Sequence, residues 1–189
     1  MLVRWFERYP ATLFFLMALT CTGLVIGGVI IEAQIKAENP FSGACTMCVF
    51  QRFLYIVIAI LGVVAAIATR VSKKTIPFFS LLALVVSGIG AYTAAKQTWM
   101  QWHPTGDEVC GINGNTIYAQ VSRALEKVST TLFEAVGDCE AVDWSMFNLS
   151  IANWSFIAFT CCIIAMLLML FKGGKEKRKG YRDYSHQYR

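Results

Sequence analysis

Residues 45–69 read CTMCVFQRFLYIVIAILGVVAAIAT, and this stretch decides both the fold and the chemistry of the chain. Its second part, residues 53–69, has no charged side chain and consists mostly of Leu, Ile, Val and Ala. A helix needs about 20 mostly apolar residues to cross a bilayer, so this part and its flanks predict a transmembrane helix. Its first part carries two cysteines and an arginine at the beginning of that helix.

Three further uncharged runs have the same character, at residues 9–31, 75–95 and 144–171. Only 15% of the 189 residues are charged, against about 25% in soluble proteins, and the mean hydropathy is +0.52. This composition excludes a water-soluble domain, a disordered chain and a collagen-like fibre. We therefore predict an all-α membrane protein, an antiparallel four-helix bundle. Residues 1–189 would form one domain, with transmembrane helices at about 10–31, 49–69, 75–95 and 151–171.

The basic residues predict the orientation of this bundle. Most of them lie in three of the segments between or beyond the runs, at 1–8, 70–74 and 172–189. These hold 12 Lys or Arg and three acids, whereas the other two segments hold 5 basic residues and 9 acids. Basic flanks stay in the cytoplasm, so both termini are predicted to be cytoplasmic and the loops at 32–48 and 96–150 to face outward. The net charge of +5 therefore reflects topology and does not indicate a nucleic-acid partner.

The seven cysteines form two groups. Three lie within the apolar runs, where a thiol packs as a small hydrophobic group: Cys21, Cys161 and Cys162. Four lie in the predicted outward loops, where an even number of cysteines favours disulfides: Cys45, Cys48, Cys110 and Cys139. A bridge between Cys110 and Cys139 would stabilise the fold by roughly 3.6 kcal/mol through loop entropy. On its own, that pair is explained by a structural staple.

Cys45 and Cys48 have the C-x-x-C spacing of dithiol redox centres. A bridge across so small a ring stabilises almost nothing through loop entropy. C-x-x-C is also half of a zinc site, but Cys110 and Cys139 do not supply a second C-x-x-C, so no metal site is predicted. Cys48 stands at the beginning of the second span, where free N–H groups and the helix dipole favour an anion.

Arg52 lies one turn after Cys48 on the same helix face, so its guanidinium can approach the Cys48 sulfur. A snorkelling flank residue is the alternative interpretation, but an ionisable group at membrane depth is a functional candidate. The chain has no Gly-rich nucleotide motif, and His103 and His186 have no helical partners for haem or metal. A lipid-soluble electron acceptor, a quinone, is therefore the simplest prediction.

The second outward loop contains an apolar pattern at spacings of three and four over residues 116–136. This predicts an amphipathic helix that ends near Gly137. Two placements remain open, one in the membrane–water interface and one packed against the ends of the spanning helices.

Taken together, these features resemble the DsbB family of bacterial disulfide bond formation proteins. The resemblance rests on four spans, a C-x-x-C with arginine four residues after its second cysteine, and a cysteine pair in the second outward loop. CTMCVFQR at 45–52 is similar to the family's first-loop signature. Pro104 six residues before Cys110, and GDCEAVDW at 137–144 with Trp154 following, resemble its second loop. The resemblance covers nearly the whole chain.

The resemblance implies an enzyme of the bacterial inner membrane, a protein dithiol:quinone oxidoreductase. It would re-oxidise DsbA, a periplasmic thioredoxin-fold oxidase, and pass the electrons to ubiquinone or menaquinone. Oxidised Cys110–Cys139 would be attacked by reduced DsbA through Cys110, and Cys139 would then exchange with Cys45. Cys48 would be left as a thiolate against the quinone, which Arg52 would help to bind.

Two positions depart from the family pattern. Gln97 stands where well-known members carry a histidine beside the quinone, and Gln51 precedes the arginine where an acid is usual. Gln97 can still donate a hydrogen bond to a quinone carbonyl, and we predict it as a second cofactor-binding residue beside Arg52. It cannot give a proton as an imidazolium would.

Two other classes of protein compete with this interpretation. A vitamin K epoxide reductase-like enzyme also joins C-x-x-C to quinone, but its pairs would occur in the reverse order along the chain. A tetraspanin-like scaffold would have static bridges in its large loop, but its Cys-Cys-Gly signature is absent there. The scaffold also leaves Cys45, Cys48 and Arg52 unexplained.

Overall fold

The computed structural model describes residues 10–39, 42–104, 115–142 and 144–187, and it consists almost entirely of helices. The long helices are α1 (Pro10–Glu38), α2 (Thr46–Val71), α3 (Ile76–Trp102) and the last helix, Ile151–Gln187. Each contains a segment long and apolar enough to cross a membrane. This confirms the predicted all-α, four-helix membrane protein. The helices begin or end several residues beyond the predicted spans.

Sequence neighbours pack side by side in the bundle. Helix α1 packs chiefly on α2, α2 on α3, and α3 on the last helix. Ser72 and a single 3-10 turn, Lys73–Thr75, reverse the chain between α2 and α3. The connection between α1 and α2 is also short, so consecutive helices run antiparallel. The end of the bundle that carries Cys45, Cys48 and Cys139 is called here the cysteine end.

An aromatic stack occupies the core next to the cysteine end. The rings of Tyr55 on α2 and Phe159 on the last helix are parallel, with centroids 4.2 Å apart. The Tyr55 hydroxyl donates to the carbonyl oxygen of Ser155 at 3.2 Å. Gly90 on α3 leaves the space for the Phe159 ring, since a Cβ at Gly90 would lie 2.3 Å from its nearest ring carbon. The Phe159 ring of the last helix therefore packs against both α2 and α3.

The cysteines of the apolar runs have no common role in this packing. Cys21 is buried in the core cluster with Phe14 and Phe159, and Cys162 packs against that cluster. Cys161 is exposed on the surface of the last helix.

The amphipathic pattern of the second outer loop forms two helices where the sequence predicts one. Helix α4 (Ile117–Glu126) begins with a cap, because the Thr116 hydroxyl accepts the N–H of Ala119 at 3.3 Å. The chain then turns and forms a single helical turn, α5 (Thr130–Phe133). After the break, Phe133 and Ala135 pack in one cluster with Val49 of α2. The predicted helix end near Gly137 is therefore wrong.

A two-stranded hairpin, β1 (Ser145–Met146) and β2 (Leu149–Ser150), precedes the last helix, numbered α6. Its turn residues, Phe147 and Asn148, have φ of 55° and 59°, the two positive values that a type I′ hairpin turn requires. Asn is favoured in that conformation but Phe is not. The sequence therefore lacks the usual Asn-Gly signal, and the hairpin is not predicted from it.

We predict that Gly90→Ala lowers the stability of the bundle. The new methyl group must displace the Phe159 ring, and overpacking of this kind costs about 1–3 kcal/mol. Gly88→Ala, two residues away, is the matched control because a Cβ there meets no atom within 4 Å. Thermal unfolding in detergent should show a lower midpoint for Gly90→Ala and an unchanged or higher one for Gly88→Ala. Equal midpoints for both variants would contradict the packing argument.

Candidate active site

Cys45 and Cys48 stand at the first turn of α2. Cys45 is the N-cap residue, and its sulfur accepts the backbone N–H of Cys48 at 3.3 Å. The two Sγ atoms are 3.1 Å apart, with the Cys45 thiol donating to the Cys48 sulfur. Both are free thiols. A backbone N–H of the helix N-terminus thus donates to the sulfur of Cys45, and Cys45 in turn donates to Cys48.

The two thiols have different environments. Cys45 is 1% exposed, and burial raises the pKa of its thiol well above the ordinary value. Cys45 therefore keeps its proton at neutral pH and donates it in a hydrogen bond. Cys48 is only partly buried and accepts that bond. Of the pair, Cys48 is the sulfur placed to carry negative charge.

Gln97 is the second donor to this sulfur pair. Its side-chain N–H groups donate to Cys48 Sγ at 3.1 Å and to Cys45 Sγ at 3.3 Å. Its carbonyl oxygen accepts from the Gln51 amide at 2.8 Å. Both glutamines are 3% exposed, so this is a buried amide chain in which Gln51 fixes the orientation of Gln97. The two positions that depart from the family pattern therefore contact each other.

We predict that Gln97→Leu slows the alkylation of Cys48. The variant removes a hydrogen bond to the charged form of the sulfur, which is worth about 1.5–3 kcal/mol when the partner is charged. The rate of modification by N-ethylmaleimide at pH 7, followed by mass spectrometry of the reduced protein, should fall about tenfold or more. Thr98→Val, at the neighbouring position, is the control. An unchanged rate in Gln97→Leu would show that its amide does not stabilise the thiolate.

The segment 132–139, called here the strap, crosses over the residues before α2. The backbone N–H groups of Val136 and Gly137 both donate to the carbonyl of Ala44, at 3.0 and 3.1 Å. Gly43 and Gly137 touch at the crossing, since a Cβ at Gly137 would lie 1.9 Å from the Gly43 oxygen. Glycine at 137 is therefore required for this close approach.

The strap places Cys139 beside the C-x-x-C. Cys139 is fully buried and packs in one cluster with Cys45, Met47 and Met100. Its sulfur lies 3.9 Å from the Thr46 hydroxyl. Cys139 is disulfide-bonded, whereas Cys110 lies outside the described residues. Three of the four predicted cysteines are thus brought together at one end of the bundle.

We predict that Gly137→Ala loosens the strap. The added methyl group cannot fit at the crossing, so the two hydrogen bonds to Ala44 must lengthen or break. Amide hydrogen exchange of Val136 and residue 137, measured by mass spectrometry, should become at least about tenfold faster because these amides then open locally. Gly88→Ala, remote from the strap, should leave the exchange unchanged. Unchanged exchange in Gly137→Ala would mean that the crossing is not close-packed.

Arg52 is held by one carboxylate and two backbone carbonyls. Its Nη1 lies 2.5 Å from Glu32 Oε2 and donates to the Leu132 carbonyl at 3.2 Å, and its Nη2 donates to the Gly28 carbonyl at 3.3 Å. Within the described part of the chain it forms no hydrogen bond with Cys48. Its hydrogen bonds therefore go to α1 and the strap, and its charge acts on Cys48 through space.

Glu32 is a site residue that the sequence analysis missed. It is 7% exposed, and its other oxygen, Oε1, binds Lys36 Nζ at 3.0 Å and accepts the Ala44 N–H at 3.3 Å. Lys36 in turn binds Glu134 of the strap at 2.7 Å. A signal was present in the sequence, since Glu32 ends the first uncharged run and Lys36 follows one turn later.

A cleft of about 710 Å³, including the part open to the surroundings, joins these groups. Its lining includes Glu32, Cys45, Cys48, Gln51, Arg52, Gln97 and Trp144. In the described residues no group of three or more His, Cys, Asp or Glu side chains could hold a metal ion.

The sequence also matches a known protein family. The family model described as Disulfide bond formation protein DsbB matches residues 10–169. Disulfide bond formation protein B of Acidovorax sp. (strain JS42) is 32% identical over 92% of this chain and 95% of its own. The protein of the same name from Verminephrobacter eiseniae is 33% identical over 95% and 96%. That from Paracidovorax citrulli is 30% identical over 96% and 98%.

Proposed function

Because this chain belongs to the DsbB family of disulfide bond formation proteins, we propose that it oxidises a dithiol protein and passes the electrons to a membrane quinone. The chain is a multi-pass membrane protein and a disulfide-forming oxidoreductase. The finer proposal names the two substrates, a periplasmic thioredoxin-fold protein of the DsbA type and ubiquinone or menaquinone.

One observation carries the proposal. The half-buried sulfur of Cys48 and the guanidinium of Arg52 line the same cleft at one end of four spanning helices. A lipid-soluble molecule can reach that depth, whereas a nucleotide cofactor has no binding motif in the sequence. A quinone ring presents two carbonyl oxygens that accept hydrogen bonds, and the Arg52 side chain offers donors there. The residues present therefore fit a quinone.

The sulfur positions support an order for the thiol steps. A thiolate of the partner would first attack Cys110 and break its predicted disulfide with Cys139, which leaves Cys139 as a thiolate. The Cys139 sulfur would then attack Sγ of Cys45, which lies in the same buried cluster, and break the Cys45–Cys48 disulfide of the oxidised protein. Cys48 would leave as a thiolate, and the hydrogen bond from Gln97 makes it a better leaving group. Cys45, held beside Cys139 by the strap, is the natural point of attack. Both exchanges conserve electrons, since one disulfide is formed for each one broken.

The overall reaction balances in electrons and protons. A partner dithiol loses two electrons and two protons as it becomes a disulfide, and the quinone gains both as it becomes a quinol. The partner would enter through Cys110 and Cys139. The disulfide of a DsbA-type protein is strongly oxidising, with a reduction potential of about −120 mV, so only a strongly oxidising acceptor such as a quinone can regenerate it from the dithiol.

The orientation in the membrane follows from charge. The basic segments at 1–8, 70–74 and 172–189 favour cytoplasmic termini in a bacterial inner membrane. The cysteine end would then face the periplasm, where disulfides persist. Such a location is also where a thioredoxin-fold oxidase would meet the loops.

The proposal predicts that Cys48→Ser abolishes quinone reduction. Turnover would be followed from the absorbance of ubiquinone, with purified protein and a reduced DsbA-type partner. Cys161→Ser, which changes an exposed thiol on the last helix, should keep full activity. Retained turnover in Cys48→Ser would remove Cys48 from the mechanism. If the unaltered protein reduces neither ubiquinone nor menaquinone while its outer cysteines stay in bridges, the tetraspanin-like scaffold is favoured instead.

A further inference from the structure

We propose that Glu32 is a positioning residue, which holds the guanidinium of Arg52 so that its unused donors face the cleft. The inference rests on the proposed function, because the ligand of those donors is the quinone. It deepens that function by assigning a role to a carboxylate that contacts neither sulfur.

The carboxylate of Glu32 is buried, which is unfavourable for a charged group. A buried charge is costly when it is unpaired, and even a paired one contributes little net stability. Its two oxygens together contact Arg52, Lys36 and the Ala44 N–H. Both oxygens of the carboxylate are therefore paired, and two of the contacts join α1 to residues that line the cleft, Arg52 and Ala44.

The hydrogen bonds of Arg52 leave a defined pair of donors. A guanidinium has five N–H groups in a planar fork. Two on Nη1 face Glu32 and the Leu132 carbonyl, and one on Nη2 faces the Gly28 carbonyl. The Nε–H and the second N–H of Nη2 have no acceptor in the described ranges. These two are the donors that remain for a ligand.

Gly28 keeps one side of this fork clear. A Cβ at Gly28 would lie 3.7 Å from Nε and 4.0 Å from Nη2 of Arg52. The side chain of a larger residue at this position would therefore contact Nε and Nη2, the two nitrogens that carry the unused donors. Gly28, which has no side chain, and Glu32, which supplies the carboxylate, therefore both affect the Arg52 guanidinium.

The charges around Arg52 also cancel. Arg52 and Lys36 contribute two positive charges, and Glu32 and Glu134 contribute two negative charges. The cluster therefore offers directed N–H groups with little net field. Such a site favours a neutral carbonyl ligand, which is recognised by donor geometry, over an anion, which is recognised by charge.

The test is a double-mutant cycle on quinone binding. Decylubiquinone binding would be measured on the full-length protein from the quenching of tryptophan fluorescence, since Trp144 lines the cleft. Arg52→Ala should raise Kd about tenfold, and Glu32→Gln should raise it about fivefold, as expected for loss or misalignment of a charged donor. In the Arg52→Ala background, Glu32→Gln should change Kd less than about twofold, because residues that act through one group are not additive.

Two further variants keep the test decisive. Glu32→Asp retains the charge but withdraws the carboxylate from Arg52, so it should raise Kd even if Glu32→Gln folds poorly. Glu38→Gln, an exposed acid on the same helix, is the matched control and should leave Kd unchanged. In turnover assays, the KM for quinone should rise in the Glu32 variants while the KM for the thiol partner stays constant.

The outcomes separate this inference from the proposed function. If the unaltered protein binds quinone but the two substitutions are additive, Glu32 does not act through Arg52 and the inference is overturned. A proportional rise of KM for both substrates would overturn it as well, because that pattern indicates a general loss of structure. If the unaltered protein neither binds nor reduces the quinone, the proposed function fails with it.

Discussion

The rotation of helix α2 about its own axis is the constraint on which the cysteine end depends. Its buried side chains Leu54 and Ile58 pack into the core between the neighbouring helices. This packing determines which face of α2 is turned toward the cleft. The cleft-lining residues Cys45, Cys48, Arg52 and Tyr55 follow at spacings of three and four, the period of one helix face. A single apolar contact surface thus aims one thiol pair and one cation into the same cleft.

Polar contacts then connect that face to its surroundings without leaving buried groups unpaired. Ala44 uses both of its backbone groups, since its N–H donates to Glu32 and its carbonyl accepts from the strap. The Thr46 carbonyl accepts from Ser122 of α4 at 3.2 Å. Buried backbone groups are costly when unsatisfied, so α1, α4 and the strap are all required around the start of α2. The redox pair and the strap that carries Cys139 are therefore parts of one packed unit.

Much of the fold follows from composition alone. Uncharged runs of sufficient length predict all four spanning helices, because a bilayer imposes the same requirement on each. The shared face of Cys48 and Arg52 is predicted for a similar reason, since helix periodicity is local. The break after Glu126 is different, because it depends on Phe133 reaching Val49 in another element. Local pattern favours one continuous helix, and tertiary packing overrides it.

The site partners were harder to predict than the site residues. Glu32 and Arg52 are separated by a short loop, and Gln51 and Gln97 by most of two helices, so neither pairing has a sequence period. The pairing of Cys139 with Cys110 stays a prediction, since Cys110 lies outside the described residues. What the sequence does supply is a limit on chemistry, because a buried charged or amide side chain in a membrane bundle needs partners. Each of the four residues in these two pairs obeys that limit.

The Gln51–Gln97 chain has a consequence for how the sulfur pair responds to pH. An amide donates hydrogen bonds at every pH in the physiological range, because it neither gains nor loses a proton there. A histidine in the place of Gln97 would donate to Cys48 as a cation below its pKa of about 6.5 and lose that charge above it. With Gln97 the donor strength is constant over that pH range, and the ionisation of Cys48 depends chiefly on its hydrogen bond with the Cys45 thiol. The two glutamines thus separate stabilisation of the thiolate from proton supply, so that the protons of the reaction must come from the dithiols or from solvent.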